Sequence, residues 1–173
     1  NRNLTPILFL QNITGFMVGR QYEEGGIIKH GAKMINAVSN SEVPAITIMI
    51  GASYGAGNYA MSGRAYNPRF LFSYPNSKIA VMGPEQLSGV MEMVQRQAVE
   101  RMGGTYDEEQ AKMMRQHLMG EVEKTSNAWY ASSQLWDDGV IDPRETRNYL
   151  GFCLAVVNNK PITSSNSYGV FRM

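Results

Sequence analysis

Two short apolar runs, each followed at once by a glycine-rich loop, most strongly limit what this chain can fold into. The first run covers residues 6–10 and leads into a loop at 12–19, and the second covers 45–50 and leads into a loop at 51–57. The second run has almost no polar alternation, which is typical of strands buried on both faces of a parallel sheet. A helical periodicity at 21–40 separates the two runs. Strand, helix and strand in this order predict an α/β fold with mainly parallel strands.

The rest of the chain continues the α/β pattern and adds a charged arm. Pro84 and the pair Asp142-Pro143 are typical of helix starts, and the pair Gly103-Gly104 is typical of a helix end. The charge-dense stretch in the arm, at about 105–125, is interpreted as a solvated or partner-facing helix. The predicted elements are strands at 70–74, 78–82 and 140–141 and helices at 58–62, 84–101, 107–124, 127–136 and 143–157.

Composition argues against several kinds of function. The net charge of +1 argues against a large electrostatic footprint for nucleic acid, and the apolar runs are too short to cross a bilayer. Cys153 is the single cysteine, so no internal disulfide can form, and its apolar neighbours predict a buried, inert thiol. No closely spaced cysteines or histidines and no carboxylate loop are present, so no metal site is predicted.

The glycine-rich loops carry the chemistry that the side chains lack. No serine, histidine and carboxylate pattern indicates a nucleophile, and the loop at 51–57 lacks phosphate-binding spacing. Gly15 in the first loop and residues 55–57 in the second could aim two backbone N–H groups at one point, as in an oxyanion hole. A helix begun near Asn58 would add its positive end. Donors without a resident base suit a reaction in which an enolate forms and another molecule takes the proton; the alternative is that these glycines only make tight turns.

Several ordered motifs resemble one family over nearly the whole chain. The most specific is Ser53-Tyr-Gly-Ala-Gly-Asn-Tyr-Ala-Met-Ser-Gly-Arg-Ala-Tyr66. It resembles the C-terminal half of the carboxyltransferase subunit of biotin-dependent acyl-CoA carboxylases, in the methylcrotonyl-CoA branch. Pro84 and residues 87–89 depart from the pattern of that branch. The other matching stretches are 9–19, 25–37, 79–83, 136–143 and 169–173.

The resemblance implies a crotonase-like (ClpP/crotonase) fold of repeated β-β-α units in a superhelix. It implies that residues 1–173 are the C-terminal, biotin-side carboxyltransferase domain, that the N-terminal CoA-side domain is absent and that 172–173 match the family terminus. The implied reaction moves CO2 from carboxybiotin, carried on a partner alpha subunit, to an acyl-CoA, with biotin as cofactor. The implied assembly is a hexamer, formed with the N-terminal domain, in the mitochondrial matrix or the bacterial cytoplasm.

Carried over residue by residue, the resemblance predicts a site made mostly of backbone. Gly15, Phe16, Gly55 and Ala56 are predicted to be catalytic, as N–H donors or close neighbours, and Tyr54, Gly57 and Gly83 to lie on the biotin side. The predicted substrate is 3-methylcrotonyl-CoA; geranyl-, propionyl- and acetyl-CoA are alternatives, as is an acyl-CoA decarboxylase subunit. A further alternative is a fragment that only assembles, and the isolated chain is predicted to be inactive.

Overall fold

A parallel sheet organises the structure, a computed structural model that describes residues 1–104 and 106–165. Its strands are β1 (Ile7–Ile13), β2 (Ala45–Tyr54), β3 (Phe70–Ser73) and β4 (Lys78–Ala80). β2 is central: it pairs with β1 on one side, and on the other side with β3 along its first half and with β4 at its end, all in parallel. The predicted α/β class with parallel strands is therefore confirmed.

The helices match the predicted pattern except at the first one. The continuous helix predicted at 21–40 is wrong, because Gly26 adopts φ +83°, a left-handed conformation that interrupts it. Val140 makes a parallel bridge to Ser73 in place of the predicted strand. Short 3-10 turns occupy Arg64–Tyr66 and Pro143–Glu145. The α-helices are α1 (Arg20–Glu24), α2 (Ile27–Ser39), α3 (Gly57–Ala60), α4 (Pro84–Arg101), α5 (Glu108–Ser126), α6 (Ala128–Ser133) and α7 (Thr146–Val157).

One face of β2 packs on α7 and forms the hydrophobic core. Ile46 and Ile48 of β2 contact Phe72 of β3, and Cys153 of α7 completes the cluster with Ile141. Cys153 is buried, as predicted, and burial raises the pKa of its thiol. The opposite face of β2 carries buried polar side chains, which leads to the glycine-rich loops.

The pairing of β1 with β2 is irregular near the ends of both strands. Gln11 lies opposite Met49, but Ile13 lies opposite Ser53, so the register shifts between these two pairs. The side chain of Asn12 fills the gap, since its Oδ1 accepts a hydrogen bond of 3.1 Å from the backbone N–H of Ala52. Beyond this point β2 leaves the register of β3 and pairs with β4 instead.

The predicted charged helix is present as α5, which packs against α4. Arg96 of α4 forms an ion pair of 2.8 Å with Glu108 and lies 4.6 Å from the ring centroid of Tyr106. Lys78 of β4 pairs with Glu123 at 2.9 Å, which attaches α5 to the sheet. Among the described residues, no helix is both long enough and apolar enough to span a bilayer. The motif at 169–173 lies outside the described residues.

Candidate active site

The two glycine-rich loops meet at one edge of the sheet. Gly15 follows β1 and Gly57 follows β2, and because the strands are parallel their carboxyl ends share an edge. A Cβ placed on Gly57 would lie 3.5 Å from the Cα of Gly15, and a Cβ on Gly15 would lie 3.5 Å from the carbonyl oxygen of Tyr54. The loops are therefore in direct contact, as the sequence predicted. The catalytic role of these residues stays a prediction.

The loop after β2 presents two amides without an acceptor, those of Ala56 and Gly57. The predicted pair in this loop was Gly55 and Ala56, one residue earlier. The N–H of Gly55 donates a 3.0 Å hydrogen bond to the carbonyl oxygen of Ala80, so Gly55 is a neighbour of the site and its amide is already used. Within the residues that the structure describes, the amides of Ala56 and Gly57 have no hydrogen-bond acceptor. Gly57 is a buried residue at the start of α3, where the N–H groups have no acceptor within the helix and are satisfied by a side chain, water or a ligand. Ala56 and Gly57 are the donors that this geometry offers.

The conformation of Gly55 explains why the loop turns here. Its φ of +60° is left-handed, and a Cβ on Gly55 would lie 3.2 Å from the carbonyl oxygen of Val81. The helix that follows, α3, has only 4 residues. Because so short a helix sums few peptide dipoles, the predicted helix-end contribution is small and the individual N–H groups dominate.

Phe16 lines an apolar cleft beside the free amides. Its ring packs on α2, where a Cβ on Gly31 would lie 3.2 Å from the ring. In the described part of the chain, the backbone amide of Phe16 has no acceptor. The cleft has a volume of about 360 Å³. Its lining is apolar apart from Glu23: Phe16, Met17, Val18, Ile27, Ile28, Gly31, Ala32, Ile35 and Ala56. The cleft can therefore hold a flat or branched apolar group beside Ala56.

Comparison with known proteins shows the family to which the chain belongs. The model of the "Carboxyl transferase domain" family matches residues 1–169. The chain belongs to the carboxyl transferase domain family. It is 57% identical over 173 residues to a Mycobacterium tuberculosis protein named "Probable biotin-dependent acyl-coenzyme A carboxylase beta2 subunit", matching 100% of this chain and 33% of that protein. It is 49% identical over 168 residues to the mitochondrial methylcrotonoyl-CoA carboxylase beta chain of Arabidopsis thaliana, matching 97% of this chain and 28% of the relative.

The solved structures place this carboxyl transferase domain in the crotonase-like fold. The beta subunit of Pseudomonas aeruginosa geranyl-CoA carboxylase aligns with a TM-score of 0.84 and 44% identity, covering 98% of this chain and 32% of that subunit. Transcarboxylase 12S, described as a hexamer assembly, aligns with a TM-score of 0.78 and 30% identity over 97% of this chain and 31% of that one. The chain thus spans about a third of the length of the relatives it matches.

The predicted biotin-side residues of the carboxyl transferase domain do not share one cavity. Tyr54 and Gly83 line a cavity of ≈ 280 Å³ beyond β4, whereas Gly57 faces the other glycine-rich loop. Lys78 and Glu123 close this cavity as an ion pair, and the hydrogen bond from Lys78 lowers the pKa of Glu123 while Glu123 raises the pKa of Lys78. This pair could not be predicted from the sequence, because the packing of α5 against β4 brings its members together.

Other candidate side chains have structural roles. Arg64 pairs with Asp138 at 2.8 Å and donates from Nε to the carbonyl oxygen of Trp136, so it holds the segment before β3 to the segment after α6. Gln86 folds back over Gly83, where a Cβ would come within 2.3 Å of its Oε1. In the described part of the chain, no group of three or more histidine, cysteine, aspartate or glutamate side chains could hold a metal ion.

Proposed function

We propose that the subunit containing this chain transfers a carboxyl group from carboxybiotin to an acyl-CoA, and that this chain supplies the backbone donors of the reaction. The observation that carries the proposal is the pair of free amides at Ala56 and Gly57, beside an apolar cleft. When bound, carboxybiotin supplies the carboxyl group and a nitrogen that accepts the substrate proton. Two N–H groups aimed at one oxygen stabilise the negative charge that develops there.

The residues present fit such a bound group. The free amides can donate to a carbonyl or enolate oxygen, and the ring of Phe16 gives an apolar wall against which a ring or acyl group can pack. An apolar group bound against this lining would displace water from it, which strengthens the hydrogen bonds made beside that group. The chain's own contribution is therefore to bind, to orient and to stabilise charge, and no side chain is required to move a proton.

The proposed substrate is 3-methylcrotonyl-CoA. Support comes from relatives named methylcrotonoyl-CoA carboxylase beta chains, such as the Arabidopsis thaliana protein at 49% identity. The geranyl-CoA carboxylase beta subunit, at 44% identity, supports a second candidate with a longer branched acyl group. The propionyl-CoA carboxylase beta chain of Roseobacter denitrificans is 32% identical, which makes propionyl-CoA a weaker candidate.

The proposed partners are the N-terminal carboxyltransferase domain, a biotin-carrying alpha subunit and further copies in a hexamer. The names of the relatives support these partners, since they are beta subunits and since transcarboxylase 12S is described as a hexamer. The mitochondrial matrix and the bacterial cytoplasm are the proposed compartments, in line with relatives named mitochondrial and relatives from bacteria.

The test is to join the chain to the rest of its subunit, add the biotinylated partner and assay a panel of thioesters. Transfer to 3-methylcrotonyl-CoA above geranyl-, propionyl- and acetyl-CoA would support the specific proposal. Preference for another thioester would keep the carboxyltransferase activity and replace the substrate. Absence of transfer to all four would reject the activity and favour a decarboxylase subunit or an assembly role.

Replacing Ala56 with proline tests the donor directly. Ala56 has φ −66°, which matches the fixed φ of proline, and its amide has no acceptor among the described residues, so Ala56→Pro removes a donor and keeps its own φ. Proline also restricts the residue before it, and Gly55 has φ +60°, so thermal unfolding is measured together with kcat. Loss of one such donor lowers kcat by roughly 100- to 1,000-fold. Ala56→Ser, which keeps the amide, is the matched control. Equal kcat in the proline and serine variants, with equal thermal midpoints, would reject Ala56 as a donor.

A further inference from the structure

Three polar side chains form a hydrogen-bonded chain next to residues 55–57, which carry the free amides of Ala56 and Gly57 and are called the donor loop here. Asn58 Nδ2 donates to Ser53 Oγ at 2.8 Å, Ser53 Oγ donates to Gln11 Oε1 at 2.6 Å, and Gln11 Nε2 donates to the carbonyl oxygen of Met61 at 2.7 Å. Gln11 and Ser53 are fully buried. The three bonds run in one direction, and a buried polar network of this kind rigidifies the elements that it joins. We call this network the polar tether.

The polar tether begins and ends at α3. Asn58 lies in the first turn of α3, and Met61 is the residue that follows its last turn. The two residues between them in the tether belong to β2 and β1, so both ends of α3 are fastened to the sheet. An isolated helix of 4 residues has too few internal hydrogen bonds to hold its own shape. Its orientation must therefore come from these contacts.

The turn after α3 is held in the same way. Ser62 adopts φ +56°, an unfavourable conformation for a residue with a side chain, and it is buried. Its carbonyl oxygen accepts a 2.7 Å hydrogen bond from Thr47 Oγ1 of β2. Backbone strain of this kind persists where the surrounding structure fixes it and is common next to functional sites.

We propose that Gln11, Ser53 and Asn58 are positioning residues that fix the direction of the Ala56 and Gly57 amides. This inference rests on the proposed function. Ala56 and Gly57 directly precede Asn58, so a rotation of α3 turns both N–H groups away from a shared oxygen. Donors of this type act only when they are held within a fraction of an ångström of the required geometry. The polar tether supplies that constraint without touching the substrate.

The test compares two buried serines in the complete subunit with its biotinylated partner. Ser53→Ala breaks the polar tether. Ser73→Ala is the matched control, because Ser73 is equally buried and donates a 2.5 Å hydrogen bond to Asp137. Ser73 lies in β3, which pairs with the first half of β2 and not with its end. A hydrogen bond to a carboxylate contributes at least as much stability as one to an amide. We therefore expect Ser73→Ala to lower the free energy of unfolding by no less than Ser53→Ala does. Asn58→Ala, at a half-buried position, breaks the same tether if Ser53→Ala fails to fold.

Two readouts are measured: amide hydrogen exchange of the segment 54–62, and kcat and KM for the acyl-CoA. We expect Ser53→Ala to accelerate exchange in this segment and to lower kcat by about tenfold or more, with KM within about twofold, because the donors act in the transition state. We expect Ser73→Ala to leave both unchanged.

The outcomes separate this inference from the proposed function. Equal exchange at 54–62 in the two serine variants, or accelerated exchange with unchanged kcat, would overturn the positioning role. A wild-type complex that transfers no carboxyl group to any thioester, while Ser53→Ala still accelerates exchange, would overturn the proposed function and leave the tether as a device that orders α3.

Discussion

Asn12 and Gly51 act as one unit where the pairing of β1 and β2 changes register. The carboxamide of Asn12 replaces a missing ladder contact by accepting from Ala52. A Cβ on Gly51 would lie 2.4 Å from Asn12 Oδ1, which is too close for any real contact. Glycine is needed here for close approach, and the carboxamide is fixed by its hydrogen bond.

We therefore expect Gly51→Ala to destabilise the subunit, by about 1–3 kcal/mol, as overpacking in a tight site does. In an Asn12→Ala background the same change should cost much less, because the clashing atom is gone. Thermal unfolding of the single and double variants measures this coupling. Additive losses would show that the two residues act independently.

At the same scale, the contact between the two glycine-rich loops could be predicted from the sequence, but which of their amides are free of an acceptor could not. The amide of Gly55 donates a hydrogen bond to the carbonyl oxygen of Ala80, and this bond forms because β4 pairs with the end of β2. Nor could the bond between Gln11 and Ser53 be read from spacing, since it joins two strands across a register shift.

Among the elements, hydrophobic periodicity predicted most helices and strands. It did not predict where an element breaks or ends when backbone conformation or strand pairing determines that point. The apolar face of α2 was predicted, but the break at Gly26 depends on a left-handed φ that a hydrophobic pattern does not encode. β2 runs to Tyr54, past the predicted end at residue 50, because β4 provides a partner for its last residues. Tertiary pairing thus extended an element that local composition would have ended.

The start of the last helical segment gives a prediction for pH. Asp142 caps the 3-10 turn before α7, and hydrogen bonds from Arg144 lower the pKa of its carboxyl from 3.8 to about 2. A lowered pKa contributes stability that is present above about pH 4 and is lost as the pH falls through about 2. We expect Asp142→Asn to have a smaller loss of thermal stability than the wild type between pH 4 and pH 2. Parallel curves for the two proteins would contradict this role.

On the scale of the whole molecule, large apolar side chains are left exposed on the described surface. They include Val18 and Ile28, which line the cleft, Met93 in α4 and Met113 in α5. The chain spans about a third of the length of its relatives, so the remaining length of such a protein is available to cover them. Exposed apolar patches of this kind favour association.

We expect residues 1–173 alone to self-associate and to carry out no carboxyl transfer, because the proposed reaction also uses the N-terminal carboxyltransferase domain. Sedimentation velocity measures the association, and the same chain joined to the rest of its subunit is the control. A monomeric chain that carboxylates an acyl-CoA would contradict both expectations.

The two free amides of the donor loop have a consequence for how such a site is found. Alanine scanning leaves the main chain intact, so it would pass over Ala56 and report Gly57 mainly through packing against Ile13. An amide-to-ester replacement at these two positions removes the N–H and keeps every side chain. Backbone chemistry of this kind, introduced by semisynthesis, tests whether the peptide N–H groups of this loop act as donors.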